Sequence, residues 1–351
     1  IMLGCISVFF CLFLSSQCIV FAEENVYADN LISVYSEKLG DKAKVLAAWR
    51  FHHEGGIASL AVSSDQKRLL TGGFDGAIKL WDLRNGKLLR ALHGHKTWAA
   101  VLTFSPDGRF ALSGADYQKN DLILWDLDRG LEVWSINVDS GVNDIEFSPD
   151  GQFALFAAYQ EFQYVDLERA TIVWTGSVDE GWWGRIGYPF GIHHVAFSAD
   201  GSYAFAQWAA RKMLVWDVKT GKKITSFQDE AVSVGAFVPS QEEPVLAIGG
   251  VEGSVVVWNY LLKEKIKLWK AHQGEIKSIR FAEGGERLVT VSLEEGIAKV
   301  GDVATQQQIN KIDFSAIKDK VRDYGNAEFS LDGRHLFLEA DDAVIVVLEL
   351  F

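Results

Sequence analysis

Phe104-Ser105-Pro106-Asp107-Gly108-Arg109-Phe110-Ala111-Leu112, followed after a short interval by Leu122-Ile123-Leu124-Trp125-Asp126, is the stretch on which the reading of the fold turns. An apolar strand ends at Phe104. Proline then presets φ and glycine accepts a positive φ, so the chain reverses and a second apolar strand begins at Phe110. A further strand closes on a tryptophan and an acid. The turn recurs as Ser148-Pro149-Asp150-Gly151, Ser198-Ala199-Asp200-Gly201 and Ser330-Leu331-Asp332-Gly333, each after a strand ending in Phe147, Phe197 or Phe329.

Three weaker copies keep the strand and are read as losing the turn chemistry: Val62 before Ser63-Ser64-Asp65, Phe237 before Val238-Pro239-Ser240, and Phe281 before Ala282-Glu283-Gly284-Gly285. That makes seven units. They close on Trp81-Asp82, Trp125-Asp126, Val165-Asp166, Trp216-Asp217, Trp258-Asn259, Gly301-Asp302 and, degenerate, Leu348-Glu349, at intervals of 44, 40, 51, 42, 43 and 47 residues. A fixed period of this size signals a repeat architecture and not two ordinary domains.

Units of this length carrying a Trp-Asp pair resemble the WD-repeat family over about residues 44–351. The resemblance implies an all-β, seven-bladed propeller of four-stranded antiparallel blades. After each closing pair a further alternating strand follows, as in Gly86 to Leu92, Gly130 to Ile136 and Gly221 to Phe227, and would be the outermost of its blade. The seventh unit ends too soon for one. Its fourth strand is therefore expected from Lys44 to Phe51, zipped onto Ala343 to Leu350 so that the ring has no large open edge. A terminal Phe351 also suits an outer-membrane barrel strand, but barrels lack these paired turns.

The resemblance also implies a buried set in each blade: tryptophan, serine or threonine, histidine, and an aspartate six residues before the tryptophan. Blade 1 matches best, with His53, Thr71, Asp75 and Trp81. Blade 2 keeps His95, Ser113 and Trp125, while its longer turn leaves Asp116 and Asp121 competing for the acid's place. Blade 6 offers His272 and Ser292, with Glu295 and Gly301 where the acid and tryptophan would stand. Trp49, Trp134, Trp174 and Trp269 fall in outer strands at comparable registers, capping blade edges.

The other tryptophans lie in connections between blades or between second and third strands, which the resemblance implies emerge on one face. Trp98, Trp182, Trp183 and Trp208, with Tyr117, Tyr159, Arg185, Tyr188 and Arg211, are the candidate partner-binding residues. Trp, Tyr and Arg dominate binding hot spots, and exposed loops otherwise avoid them. Blades 2 to 4 are thus expected to bind a protein or peptide, or alternatively the Asp179 to Phe190 connection folds over the channel as a packed plug. Residues 312–325 mix Phe314, Ile317 and Val321 with charges at helical spacing, and Leu31 to Asp41 is similarly patterned.

Ile1 to Ala22 has no charged residue, and Cys5 to Val20 is almost unbroken apolar sequence. With Ala22 before Glu23, residues 1–22 read as a secretory signal, although the basic n-region is missing and the true start is expected upstream. A retained anchor or an acylated cysteine are the alternatives. Residues 23–43 are a linker or short helix and 44–351 the propeller. The expected location is periplasmic or extracellular, in a bacterial exported member of the family, with no stable membrane insertion after cleavage.

All three cysteines lie within the first 22 residues, so the remainder has no thiol chemistry, disulfide or Cys-ligated metal. A net charge of −13 repels phosphate backbones, and nucleic acid is not an expected partner. His193-His194 are strand neighbours that point to opposite faces, so they do not chelate one metal together. No nucleophile elbow or phosphate loop occurs. The expectation is a non-catalytic scaffold with no cofactor or metal. A propeller enzyme, or a small-ligand or glycan site in the channel, is the other class.

Overall fold

The computed structural model describes residues 26–350 apart from 116–119, 139–140, 159–160, 178–190, 209–211, 229–233, 241–242, 322–326, 331 and 341–343. A helix, α1 (Val26–Leu39), leads through a 3₁₀ turn (Gly40–Lys42) into β1 (Lys44–Arg50). Seven four-stranded antiparallel sheets follow, each numbered outward from its innermost strand. Blade 1 holds β2 (Ile57–Val62), β3 (Arg68–Gly73), β4 (Ala77–Asp82) and β5 (Lys87–His93). Blade 2 holds β6 (Ala99–Phe104), β7 (Phe110–Ala115), β8 (Asn120–Asp126) and β9 (Leu131–Val138). Blade 3 holds β10 (Val142–Phe147), β11 (Phe153–Ala158), β12 (Glu161–Asp166) and β13 (Thr171–Ser177). Blade 4 holds β14 (Ile192–Phe197), β15 (Tyr203–Trp208), β16 (Lys212–Asp217) and β17 (Lys222–Gln228). Blade 5 holds β18 (Val234–Pro239), β19 (Val245–Gly250), β20 (Ser254–Asn259) and β21 (Glu264–Lys270). Blade 6 holds β22 (Ser278–Ala282), β23 (Arg287–Ser292), β24 (Ile297–Asp302) and β25 (Gln308–Asp313). Blade 7 holds β26 (Ala327–Phe329), β27 (His335–Ala340) and β28 (Val344–Glu349), and β1 completes it.

Closure is antiparallel. Lys44 pairs with Glu349 and Arg50 with Val344, so the chain's first strand lies outside its last. The innermost strands of successive blades touch all the way round, β26 returning to β2, and enclose the central channel. The fold is the seven-bladed propeller that the repeats imply.

The hairpin turns are held by their own side chains. Ser105 Oγ donates to Asp107 Oδ1 at 2.6 Å, Asp107 Oδ1 accepts Arg109 N, and Gly108 takes φ +69° while its N–H bonds Ser105 O. Ser148, Ser198 and Ser330 repeat the arrangement. Blade 1, expected to have lost this chemistry, retains it: Ser63 Oγ donates to Asp65 Oδ1 at 2.7 Å, and Gln66 takes the left-handed position at φ +57°. A non-glycine residue tolerates that conformation at a modest cost, which the serine–aspartate bond offsets.

Every outer strand carries a β-bulge near its start, after two pairings in six blades and after one in blade 6. The bulged residues are Leu46, Leu89, Val133, Val173, Ile224, Ile266 and Ile309, and all seven are exposed aliphatics. A bulge interrupts the free edge, which blunts its capacity to pair with a second chain. The next residue turns back toward the neighbouring blade. Trp134 Nε1 donates to Leu167 O and Trp174 Nε1 to Val218 O, both at 2.9 Å, and Asn310 Nδ2 donates to Leu350 O at 2.7 Å. Lys267 Nζ reaches Val303 O from the equivalent position. Trp49 and Trp269 do not share this register. They pair with Ile345 and Val255, two residues further along, so the four outer tryptophans form two sets and not one.

Between blades 6 and 7, α1 buries Tyr35 and Leu39 against Phe314, Ile317, Leu338 and Val346. The helix starts earlier than the Leu31 to Asp41 pattern indicates. The 312–325 segment, expected to be amphipathic helix, forms a 3₁₀ helix at Ser315–Lys320 with Phe314, Ile317 and Val321 buried. It is wedged against the blade 6 turn, where a Cβ on Gly296 would stand 2.6 Å from Ser315 Cα, leaving no room for a wider helix.

Candidate binding face

In blade 1, Trp81 Nε1 donates to Thr71 Oγ1 at 2.8 Å, and Thr71 Oγ1 lies 2.7 Å from His53 Nε2. His53 Nδ1 stands 3.1 Å from Asp75 Oδ1. One proton assignment satisfies every group. The indole donates to Thr71, the Thr71 hydroxyl to Nε2, and Nδ1–H to the carboxylate. Burial lowers the pKa of His53 despite Asp75 beside it, so the ring is neutral. Burial alone would raise Asp75, but N–H groups of Ala77, His53 and Glu54 overrule it and hold the carboxyl below its usual range.

Blade 2 repeats the inner part, with His95 Nε2 2.6 Å from Ser113 Oγ and Trp125 Nε1 donating to Ser113 at 2.8 Å. In blade 6, His272 Nε2 meets Thr290 Oγ1 at 2.9 Å and Nδ1 meets Glu295 Oε2 at 2.7 Å. Glu295 fills the acid's place. The hydroxyl is Thr290 and not Ser292, and the sequence carries the sign of it: histidine and hydroxyl are 18 residues apart in all three blades.

A hydroxyl, a histidine and an acid in line resemble a hydrolase relay, yet these cannot act as one. Thr71 and Ser113 are 0% exposed, and each oxygen already receives an indole N–H, so no substrate reaches the hydroxyl. Their work is to satisfy buried polar atoms and to anchor a turn. Among the described residues, no group of three or more His, Cys, Asp or Glu could hold a metal, and no helix is long and apolar enough to cross a membrane.

That anchored turn belongs to the face on which the loops gather. A Cβ on Gly76, between β3 and β4, would lie 2.7 Å from Thr97 O and 2.9 Å from His95 O, in the connection between blades 1 and 2. Gly253 approaches His272 O and Gly274 O in the same way between blades 5 and 6. Second-to-third-strand turns and blade-to-blade connections therefore meet on one side of the ring. Trp98 stands there, 48% exposed, with its ring 4.7 Å from Phe74 and nearly perpendicular to it at 87°.

Trp208 ends β15 on the same face. It pairs with Ile192 of β14 and is partly buried against the blade 3–4 core, and Lys212 Nζ lies 5.9 Å from its ring centre. Tyr117, Tyr159, Trp182, Trp183, Arg185, Tyr188 and Arg211, and Asp116 with residues 1–25, lie outside the described residues.

Two comparisons bear on this arrangement. Residues 44–82 and 86–126 match the WD domain, G-beta repeat. The matched segments are β1 to β4 and β5 to β8, so each repeat in sequence straddles two blades, and they are the two repeats that hold the Trp–hydroxyl–His set.

The match and the blades together support the WD-repeat propeller family.

The chain is also 31% identical over 156 residues, 43% of its length, to Cross-pathway control WD-repeat protein 2 of Flammulina velutipes. It spans about half of that relative, 47%.

Proposed function

We propose that this propeller is an exported, non-catalytic scaffold that takes a partner protein or peptide on its loop-rich face, over blades 2 to 4 and the adjoining edge of blade 1. WD-repeat propellers are commonly protein-interaction scaffolds, and the relative's name is that of a WD-repeat protein of cross-pathway control. The observation that carries the reading is Trp98: an indole left half in water and propped edge-on by Phe74, where the other described tryptophans are buried or partly buried. A rigid aromatic of this kind supplies a large contact area at low entropic cost, and truncating one at a hot spot typically weakens binding by about 2 kcal/mol or more.

Export rests on the apolar, uncharged run of residues 1–22. N-terminal sequencing of the protein recovered from its native source tests it: a mature terminus at Glu23 supports export, and an intact leader in the cytosol refutes it. The binding reading is tested by affinity capture from envelope extract with wild type, Trp98→Ala and Trp183→Ala/Tyr188→Ala. Loss of a captured partner at unchanged Tm supports it. Unchanged capture with lowered Tm reassigns these aromatics to packing.

A further inference from the structure

The seven innermost strands carry few ionisable residues: Asp144 and Glu146 on β10, His193 and His194 on β14, Arg280 on β22 and Glu328 on β26. Strands β2, β6 and β18 contribute none. Register sorts these groups into layers. Glu146 pairs with Leu155, Arg280 with Val289 and Glu328 with Phe337, at equivalent positions of their blades, so two carboxyls and one guanidinium share a level of the channel. Asp144, opposite Ala157, and His194, opposite Gln207, share the next level.

One seam is stitched by these side chains. The free edge of β14 presents its backbone to β10, and three β10 residues answer it. Asn143 Nδ2 donates to Ile192 O at 2.8 Å, Val195 N donates to Asp144 Oδ2 at 2.9 Å, and Phe197 N donates to Glu146 Oε2 at 3.2 Å. His194 Nδ1 lies 3.5 Å from Asp144 Oδ2. Across the channel Arg280 Nη2 is 3.6 Å from Glu328 Oε1, its partner in the same level. By contrast the blade 1–2 seam is joined at this position by a neutral bond, Ser59 Oγ to Ala99 O at 2.7 Å.

A carboxyl that accepts one N–H through one oxygen can carry a proton on the other and leave the stitch intact. Ionising Glu146 places a second negative charge two residues from Asp144 on the same strand. Of the groups packed around it, those of β6 and β11 are neutral, β14 brings only the two histidines, and Arg280 is engaged with Glu328. Burial, reinforced by Asp144, pushes Glu146 up to about 8 against the pull of the Phe197 N–H and Arg280. Burial also raises Glu328, even though the channel leaves 39% of its side chain exposed.

We propose that the blade 3–blade 4 seam is a proton-operated closure, in which neutral Glu146 keeps β14 tied to β10 and ionised Glu146, beside Asp144, loosens it. The sign follows from linkage. The carboxyl titrates near 4.5 in an unfolded chain and near 8 in the fold. Its contribution is therefore complete below the first value and is lost as pH rises through the second.

Glu146→Gln keeps the acceptor and removes the titration. Thermal unfolding from about pH 6 to about pH 9 should show the wild-type Tm falling up to about pH 8 and levelling off above it, and the variant's falling by less than about half as much. Hydrogen exchange, corrected for intrinsic rate, should show Val195 and Phe197 amides losing about tenfold protection over the same interval in wild type only. Infrared difference spectra at neutral pH should contain a protonated-carboxyl stretch that Glu146→Gln removes. Parallel pH profiles for the two proteins, or unaltered protection at Val195 and Phe197, overturn the proposal. Should Glu146→Gln not fold, Asp144→Asn keeps an acceptor for Val195 N and removes the charge that reinforces burial at Glu146. A loss of stability that is smaller and ends at lower pH than in wild type then supports the closure, and an unchanged profile refutes it.

Discussion

Blades 1 and 2 and blades 3 to 5 build the same four-stranded sheet by different means. In blades 1 and 2 the closing tryptophan is held by a hydroxyl that is itself held by a histidine. In blades 3 and 4 the hydroxyl's place is taken by Phe156 and Ala206, and aromatic packing replaces it. Phe162 lies edge-on to Trp216 at 4.6 Å and to Trp174 at 5.5 Å, and Trp174 stacks on Tyr164 at 5.1 Å. Blade 5 falls between: Ile248 stands where Thr71 stands in blade 1, Trp258 stacks on Phe227 at 4.7 Å, and its buried Nε1 has no hydrogen-bond partner among the described residues. The sheet thus tolerates either solution, provided the indole's apolar body is buried, because area removed from water outweighs a single net hydrogen bond.

The contrast can be broken most severely in blade 3. Phe162→Ala should cost about 3–5 kcal/mol in chemical denaturation, since it opens a cavity between two tryptophans that has no polar network to fall back on. In blade 1, Thr71→Val should cost about 2–3 kcal/mol by the same measurement, as it strands both the indole donor and the His53 nitrogen. Thr71→Ser should recover most of that loss, whereas a result equal to wild type for Thr71→Val would remove the network's role.

The network also predicts a pH response opposite to that of the channel. Burial depresses the pKa of His53 and His272, so each contributes stability that is present above the unfolded value of 6.5 and is lost as pH falls through the lower folded value. Tm should therefore decline on acidification below about pH 6.5, and Thr71→Val, which already lacks part of the network, should decline less. The smallest effect is expected in blade 5. Ile248→Thr gives Trp258 Nε1 an acceptor at the cost of buried methyl groups, and should fall within about 1 kcal/mol of wild type, while Ile248→Ala should cost about 2–5 kcal/mol.

Blade count, closure by residues 44–51 and the hairpin turns were legible because each is written in contiguous residues: a strand ending in phenylalanine, Ser-x-Asp-Gly, a closing acid. Blade 1's turn was misread because Gln66 occupies a position usually marked by glycine, and the serine–aspartate bond that stabilises it carries no such flag. Ser292 was taken for Thr290 because both fall at the end of β23, and only the 18-residue spacing from His272 separates them. At the candidate site the sequence marked Trp98 and Trp208 equally. Their different exposure depends on what the fold packs beside each: Trp208 lies against the blade 3–4 core, and Trp98 stands 48% exposed with its ring edge-on to Phe74.

The sequence by itself determined what repeats: seven strand–turn–strand units, their closing residues and the segment that completes the ring, since local turn chemistry and alternation act within about ten residues. Only the tertiary structure decided what faces what. The bulge that turns Trp134 and Trp174 onto the next blade, the helix filling the gap between blades 6 and 7, and the meeting of Asp144, Glu146, Arg280 and Glu328 in one channel join residues from separate repeats. Such contacts depend on the register and rotation of whole blades, which packing fixes and no single repeat encodes.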